Sequence, residues 1–444
     1  MVKNTQSRSS QATMSTPVKS KQDLLNLLAK DKDAHLAFLS SLIRIPTPNP
    51  PGDTRDAIAF VEQHLQKHGI SSEIIAPKPD APNLVSTFHA EGPSEHPRNL
   101  VFNGHIDIFP VNADEKWQRD PYSGDVDGDF VHGRGAVDMK AGTAADIIAF
   151  SYLHRFRSQL SGRCTLEVVS DEETGGRYGT RYLLERDGRK ETWKGDCVLN
   201  AEPGGVESIR FGERGSLRMT FEVRCEGAHG AFMHLSEGAI RIASRLIARL
   251  AELENLPPEG MDPELRKYLQ REDVRNTADG IMGPGAAAYM LKPSVNIGTI
   301  RGGVKVNMIP SYCVFEADIR LPIGLVKETV LARIDEVLRS SFPEASYTVQ
   351  EAATNPPAAS SVEHEMVELL QRNAKLVRGE APVSICSLGG TDCKHFRYNG
   401  VPAYCYGPSP TTMAAVDERV KAQEFLDIIK IHTLAAWEYL GGPI

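Results

Sequence analysis

A histidine and several carboxylates stand at or near the ends of short apolar runs in this chain, where their nitrogen and oxygen atoms could ligate a metal ion. The first pair is His105 and Asp107 in Gly104-His105-Ile106-Asp107. In an extended segment residues i and i+2 share a face, so one of the two can ligate an ion while the other orients the imidazole. Asp138 follows in Gly133-Arg134-Gly135-Ala136-Val137-Asp138, then Asp171-Glu172-Glu173, then Glu202 ahead of Pro203. Imidazole nitrogen and carboxylate oxygen suit zinc, cobalt or manganese. A carboxylate bridging two ions about 3.5–4 Å apart is the device of two-metal hydrolases, and Asp138 is the best bridge. Of the adjacent acids Glu172 and Glu173, one can ligate while the other takes a proton from water. A lone His beside a lone Asp is more often structural, and a lone loop acid is usually solvated. The repetition at strand ends carries the reading.

The elements that must position these groups alternate between helix and strand. Residues 22–44 carry apolar residues at near-helical spacing, one helix or two, closed by Ile45-Pro46-Thr47-Pro48. A turn at Asn49-Pro50-Pro51-Gly52 leads to a helix stopped at Gly69. β-like runs at 72–75, 83–87 and 99–102 lead into Gly104-His105. Residues 139–156 read as a long Ala-rich helix, 164–170 as a buried strand, 179–185 as a helix and 197–200 as a strand. This alternation predicts an α/β sheet. Ligands in open α/β sheets gather at the carboxyl ends of strands, where these polar residues collect.

After Arg210 the order becomes β-α-β-β-α-β, the split βαβ arrangement. A second domain is therefore expected at 212–352, inserted between catalytic halves at 22–211 and 353–444. The Pro/Gly-rich stretch 256–293 would be an excursion within it. The first domain resumes with a helix at 363–377, a strand at 383–387, the loop Leu388-Gly389-Gly390-Thr391-Asp392, a helix, a strand at 402–406 and a last helix at 422–440. Residues 1–21, rich in Ser, Thr, Gln and Lys without an acid, are expected to be a disordered tail.

Composition removes other classes. A net charge of -8 argues against a nucleic-acid surface, and no apolar run approaches the roughly 20 residues of a membrane span. The seven cysteines are scattered without a CxxC, so reduced thiols and a cytoplasmic address are expected. There is no GxSxG for a serine hydrolase and no Walker string or GxGxxG after a strand.

The strings GHIDIFP, WQRDPYSGDVDGDFVHGRGAVDMKAG, DEETGG and AEP, in that order, resemble the di-zinc metallopeptidase family of acetylornithine deacetylase, succinyl-diaminopimelate desuccinylase, aminoacylase and glutamate carboxypeptidase. The resemblance runs from about residue 25 to the end. It implies a mixed-sheet, zinc-exopeptidase-like α/β catalytic domain with an inserted ferredoxin-like (βαββαβ) lid that dimerises. It also implies that His105 and Glu202 share one zinc, that Asp107 orients His105, and that Asp138 bridges. Glu172 would be the general base and Glu173 a ligand of the other zinc. His229 would reach a neighbouring subunit's site to polarise the scissile carbonyl. Asn307 and Arg320 would contact substrate carboxylate or oxyanion, and Gly390 and Thr391 would lie in a substrate-side loop.

The chain departs from the family pattern at one place. A ligand histidine is expected four residues before Glu418, where Met413-Ala414-Ala415-Val416-Asp417-Glu418 has alanine. A methyl group cannot ligate, which leaves His395, Cys393, Cys405 or Asp417 as substitutes, or one zinc in place of two. The expected activity is hydrolysis of an amide in an N-acyl amino acid or small peptide bearing a free carboxylate, by a homodimer. The alternative is a non-hydrolytic acyl reaction, such as amide formation or cyclisation, or a binding protein on the same fold.

Overall fold

The computed structural model describes residues 18–443 except 94 and 96. The expected tail therefore lies outside the described residues up to 17. Val18 itself is buried, and its N–H donates to Gln159 Oε1 at 2.9 Å. Residues 22–44 form two helices, Lys21–Lys30 and Lys32–Ile43, and Ser20 caps the first by accepting from the Asp23 amide.

The strands that matter are β1 (Glu73–Ile75), β2 (Asn83–His89), β3 (Asn99–His105), β4 (Arg163–Val169), β5 (Cys197–Asn200) and β6 (Ser208–Glu213). They are followed by β7 (Gly215–Arg224), β8 (Ser294–Gly302), β9 (Tyr312–Leu321), β10 (Ala345–Val349), β11 (Ala358–Ala359), β12 (Val383–Ser387) and β13 (Ala403–Cys405). The large sheet is mixed, in the order β1-β2-β4-β3-β5-β13-β6-β11, with β12 also pairing β6. Its centre, β4-β3-β5-β13, is parallel. Strands covered on both faces read as continuous apolar runs, which is why β3, β4 and β5 are buried almost throughout. Ala141–Arg155 is buried along nearly its whole length, between this sheet and Ala422–Tyr439. Gly142 permits that fit: a Cβ there would meet Ala201 O at 2.3 Å.

The smaller sheet is antiparallel, in the order β8-β9-β7-β10. Its β7 strand alternates, with Leu217, Met219, Phe221 and Val223 buried, and Phe221 stacks on Phe315 at 4.9 Å. Helices Ala239–Leu250 and Lys327–Ser341 join the same core.

The stretch 256–293 differs from the expected excursion of the second unit. It forms the helices Pro263–Leu269, Glu272–Met282 and Ala286–Tyr289, and their buried residues Leu269, Val274, Ala278 and Ala287 belong to the core of the large sheet. Val274 and Ala278 lie i,i+4 on one helical face, and Tyr268 OH donates to Ser384 O of β12 at 3.0 Å. Apolar periodicity shows that such a helix needs a partner but not which sheet supplies it.

One buried histidine makes the fold acid-sensitive. His35 is 6% exposed, and burial pulls its pKa from 6.5 down to about 4, against a smaller upward pull from Asp31. The unfolded chain then binds the proton first, so this contribution to stability is complete above pH 6.5 and is lost as pH falls towards 4. Urea unfolding at pH 7 and pH 5 should show His35→Leu sparing the protein on the order of 2 kcal/mol of the acid-induced loss. An equal loss in both proteins would contradict this.

Candidate active site

Three adjacent parallel strands deliver the donors. His105 is the last residue of β3, Asp171-Glu172-Glu173 follows the end of β4, and Glu202 stands two residues beyond β5. Asp138 comes from a tight turn at Ala136–Lys140, ahead of the Ala141–Arg155 helix. His105 Nε2 lies 3.2 Å from Asp138 Oδ1 and 3.4 Å from Glu202 Oε1. Among the described residues, donor atoms converge within 4.8 Å in two groups, His105-Asp138-Glu173 and His105-Glu172-Glu202.

Asp107 holds this arrangement differently from the sequence expectation. His105 Nδ1 lies 2.8 Å from the Asp107 main-chain carbonyl, whereas the nearer carboxylate oxygen is at 3.6 Å. A proton on Nδ1, donated to that carbonyl, would leave Nε2 to ligate an ion held among the acids. The Asp107 carboxylate instead accepts from the amides of Glu172 and Glu173, each at 3.2 Å, and from Asn49 Nδ2 at 2.8 Å. It therefore fixes the turn that carries both glutamates. Its pKa stays low despite burial, because His105, Asn49 and the Glu173 amide favour the anion.

Glu418 does the same for Asp138. Its Oε1 accepts from the amides of Val137 (2.8 Å) and Asp138 (3.2 Å), while Oε2 accepts from Arg134 at 2.7 Å. Gly135 completes the turn with φ 79°, where a Cβ would meet Ile108 Cγ2 at 2.3 Å.

The electrostatics call for a cation. Burial, then the Asp138 charge, pushes Glu173 up to about 11, and Glu202 is raised by the same two causes. Burial also drives Glu172 well above the carboxylate range, against the opposing pull of Lys394. Burial alone would lower His105, but the Asp107, Asp138 and Glu202 carboxylates more than offset it and hold the imidazole well above its usual value. Glu173 Oε1 is buried without a hydrogen-bond partner. Buried acids that raise one another, with an unpartnered oxygen among them and an imidazole nitrogen facing them, fit a divalent ion.

A cavity of about 700 Å³ opens onto these groups. Arg320, Gly390 and Thr391 line it, as the sequence reading expects of substrate contacts. Thr391 already gives its amide and hydroxyl to Glu213, at 3.0 and 2.9 Å. His229 and Asn307 are not brought to this cavity. They are exposed side by side on the smaller unit, where Met308 pairs with His229 and the Gly230 amide donates to Asn307 O at 2.8 Å.

None of the substitutes for the missing histidine joins either donor group. Asp417 Oδ1 accepts from the Gln118 amide at 2.8 Å, and the Cys393 and Cys405 sulfurs face each other at 3.4 Å. His395 is buried beside Gly176, and burial pulls it down to about 2. Ala414 sits in an exposed turn with φ 59°, next to Met413, which lines the cavity.

Sequence reasoning missed three groups besides Glu418. Lys394 Nζ lies 3.7 Å from Glu172 Oε1 and donates to Thr391 O at 2.8 Å. Arg210 and Arg214 also line the cavity, each with a buried Nε that has no partner. The available signal was a lysine in the buried first turn of Cys393–Tyr398, since lysine is seldom fully buried unpaired.

Comparison with known proteins agrees with this geometry. Residues 101–438 match the model of "Peptidase family M20/M25/M40". The chain is 36% identical over 430 residues to N-formyl-4-amino-5-aminomethyl-2-methylpyrimidine deformylase of Halalkalibacterium halodurans, covering 92% of this chain and 95% of the relative. It is 28% identical over 422 residues to succinyl-diaminopimelate desuccinylase of Methylorubrum populi, covering 92% and 98%. The M20 family metallo-carboxypeptidase Sso-CP2 from Sulfolobus solfataricus superposes with a TM-score of 0.74 at 18% identity, covering 90% of this chain and 99% of that one. The chain belongs to peptidase family M20/M25/M40, and it is a metal-dependent amidohydrolase.

Proposed function

We propose that this enzyme hydrolyses the amide bond of an N-acyl amino acid or small peptide that carries a free carboxylate. The observation that carries the proposal is one cavity lined by both signs of charge. Glu172 and the donors Asp138, Glu173 and Glu202, which converge with His105, share it with Arg210, Arg214 and Arg320. The donor set would hold zinc, with cobalt or manganese as alternatives. A divalent ion there supplies a lowered pKa for water and polarisation of the amide carbonyl.

The chain's own residues do the rest. Glu172 takes the proton from the attacking water and delivers it to the departing nitrogen. Lys394, 3.7 Å away, stabilises the Glu172 carboxylate before the first transfer and after the second. The arginines receive the substrate carboxylate through paired N–H donors. Because Ala414 removes one expected ligand, the favoured ion is one at His105 Nε2, which lies 3.2 Å from Asp138 and 3.4 Å from Glu202. Among the described residues no helix is long and apolar enough to cross a membrane. All seven cysteines are free, which supports a reducing, cytoplasmic address.

His229 and Asn307 serve such a site only from a second copy, since they lie outside the cavity of their own chain. This supports a homodimer formed through the smaller sheet. Sedimentation equilibrium should give twice the chain mass, and a monomer at every concentration where the enzyme turns over would contradict it.

Glu172→Gln should keep its metal content and lower kcat by roughly 10²–10⁴-fold, the usual worth of a general acid–base group. Steady-state hydrolysis with metal analysis on the same sample tests this. Turnover within a few-fold of the unaltered enzyme would remove Glu172 from the mechanism.

A further inference from the structure

The segment 256–293 packs on the large sheet, yet it stabilises that sheet with only part of its surface. In the Glu272–Met282 helix, Val274 and Ala278 are fully buried, and Ile281 and Met282 pack against the edge of the same core. Asp279 accepts from the Ala287 amide at 2.7 Å and folds the next helix back, so the helix end at Gly283 is fixed. The last two helical residues, Ile281 and Met282, are only half-buried and line the catalytic cavity. Ile281 packs on Gly205, where an added Cβ would come within 3.1–3.3 Å of its side chain. Gly205 lies three residues beyond Glu202, so Ile281 borders the turn that bears a donor.

An apolar surface set among these charges has a selective consequence. A charged or strongly polar substituent pressed against Ile281 and Met282 would lose its water without gaining a partner. An apolar substituent gains burial there. We propose that Ile281 and Met282 are specificity-determining residues, selecting carboxylate-bearing amides that carry an apolar substituent next to the scissile bond. This rests on the amide-hydrolase reading above and narrows its substrate class. The two side chains contact the substituent and take no part in bond breaking.

The test is kcat/KM for the zinc-, cobalt- or manganese-supplemented enzyme over two series. One is N-acetyl-glycine, -alanine, -leucine, -phenylalanine, -aspartate and -lysine, and the other is glycine N-acylated with formyl, acetyl, butyryl or hexanoyl groups. In one series the unaltered enzyme should favour the larger apolar members over glycine, aspartate or formyl members by at least about tenfold, the usual reach of an apolar pocket. Ile281→Ala combined with Met282→Ala should erase that preference while changing the smallest member less than about threefold, and Met282→Leu should retain it. Equal loss across both series, or preference for aspartate or lysine in the unaltered enzyme, would overturn the proposal. No turnover of any member would overturn the hydrolase substrate reading, and the specificity proposal with it. Turnover with the preference unchanged in the double variant would overturn only the specificity proposal.

Discussion

Asp138, Glu172, Glu173 and Glu202 converge with His105 in one buried pocket, and carboxylates at such spacing repel one another strongly. At about 4 Å and an effective dielectric of 20, each like-charged pair costs about 4 kcal/mol. Without a cation the protein meets that cost by keeping protons, which is the meaning of Glu173 pushed up to about 11. With a divalent ion the sign reverses, and the same crowding becomes a ligand set. The surrounding structure is arranged to hold this unfavourable cluster together. Asp107 ties down the Glu172-Glu173 turn, Glu418 ties down Asp138, and the parallel register of β4-β3-β5 brings three strand ends to one edge.

That arrangement separates stability from chemistry. Asp107 and Glu418 accept main-chain N–H groups in buried positions and act through the residues they hold, Asp107 with a lowered pKa and Glu418 with one that burial raises. His105, Glu172, Glu173 and Glu202 carry the raised pKa values, which mark groups whose protonation responds to what the pocket contains. Arginines line the same cavity, with Arg214 fastened to the smaller unit through Ser294 Oγ at 2.7 Å and Arg320 O at 3.0 Å.

Much of this was legible in the chain itself. The buried strands announced themselves as apolar runs, and His105, Glu172-Glu173 and Glu202 stood where those runs end, so they could be named as candidates with Asp138, while the division of Glu172 and Glu173 between base and ligand came from the family resemblance. The role of the Asp107 carboxylate could not. A spacing of i,i+2 indicates a shared face but not that the Asp107 main-chain carbonyl faces the imidazole Nδ1 while the carboxylate accepts from two amides. Lys394, Arg210 and Arg214 were hidden for another reason: their significance lies in burial against residues far away in sequence. The Glu272–Met282 helix shows the same limit. Its apolar face was readable, but its choice of the large sheet, and so the placing of Ile281 and Met282 at the cavity, depends on tertiary contacts with β12.

The central claim is that this carboxylate cluster is a cation site built around His105. Crystals soaked in zinc and measured at the zinc absorption edge address it most directly. The account predicts an anomalous peak at about 2.0–2.2 Å from His105 Nε2, Asp138 and Glu202, with a second peak near Glu173 weaker or absent because Ala414 supplies no ligand. No peak at His105, or a single strong peak at Glu173 with His105 unliganded, would contradict it.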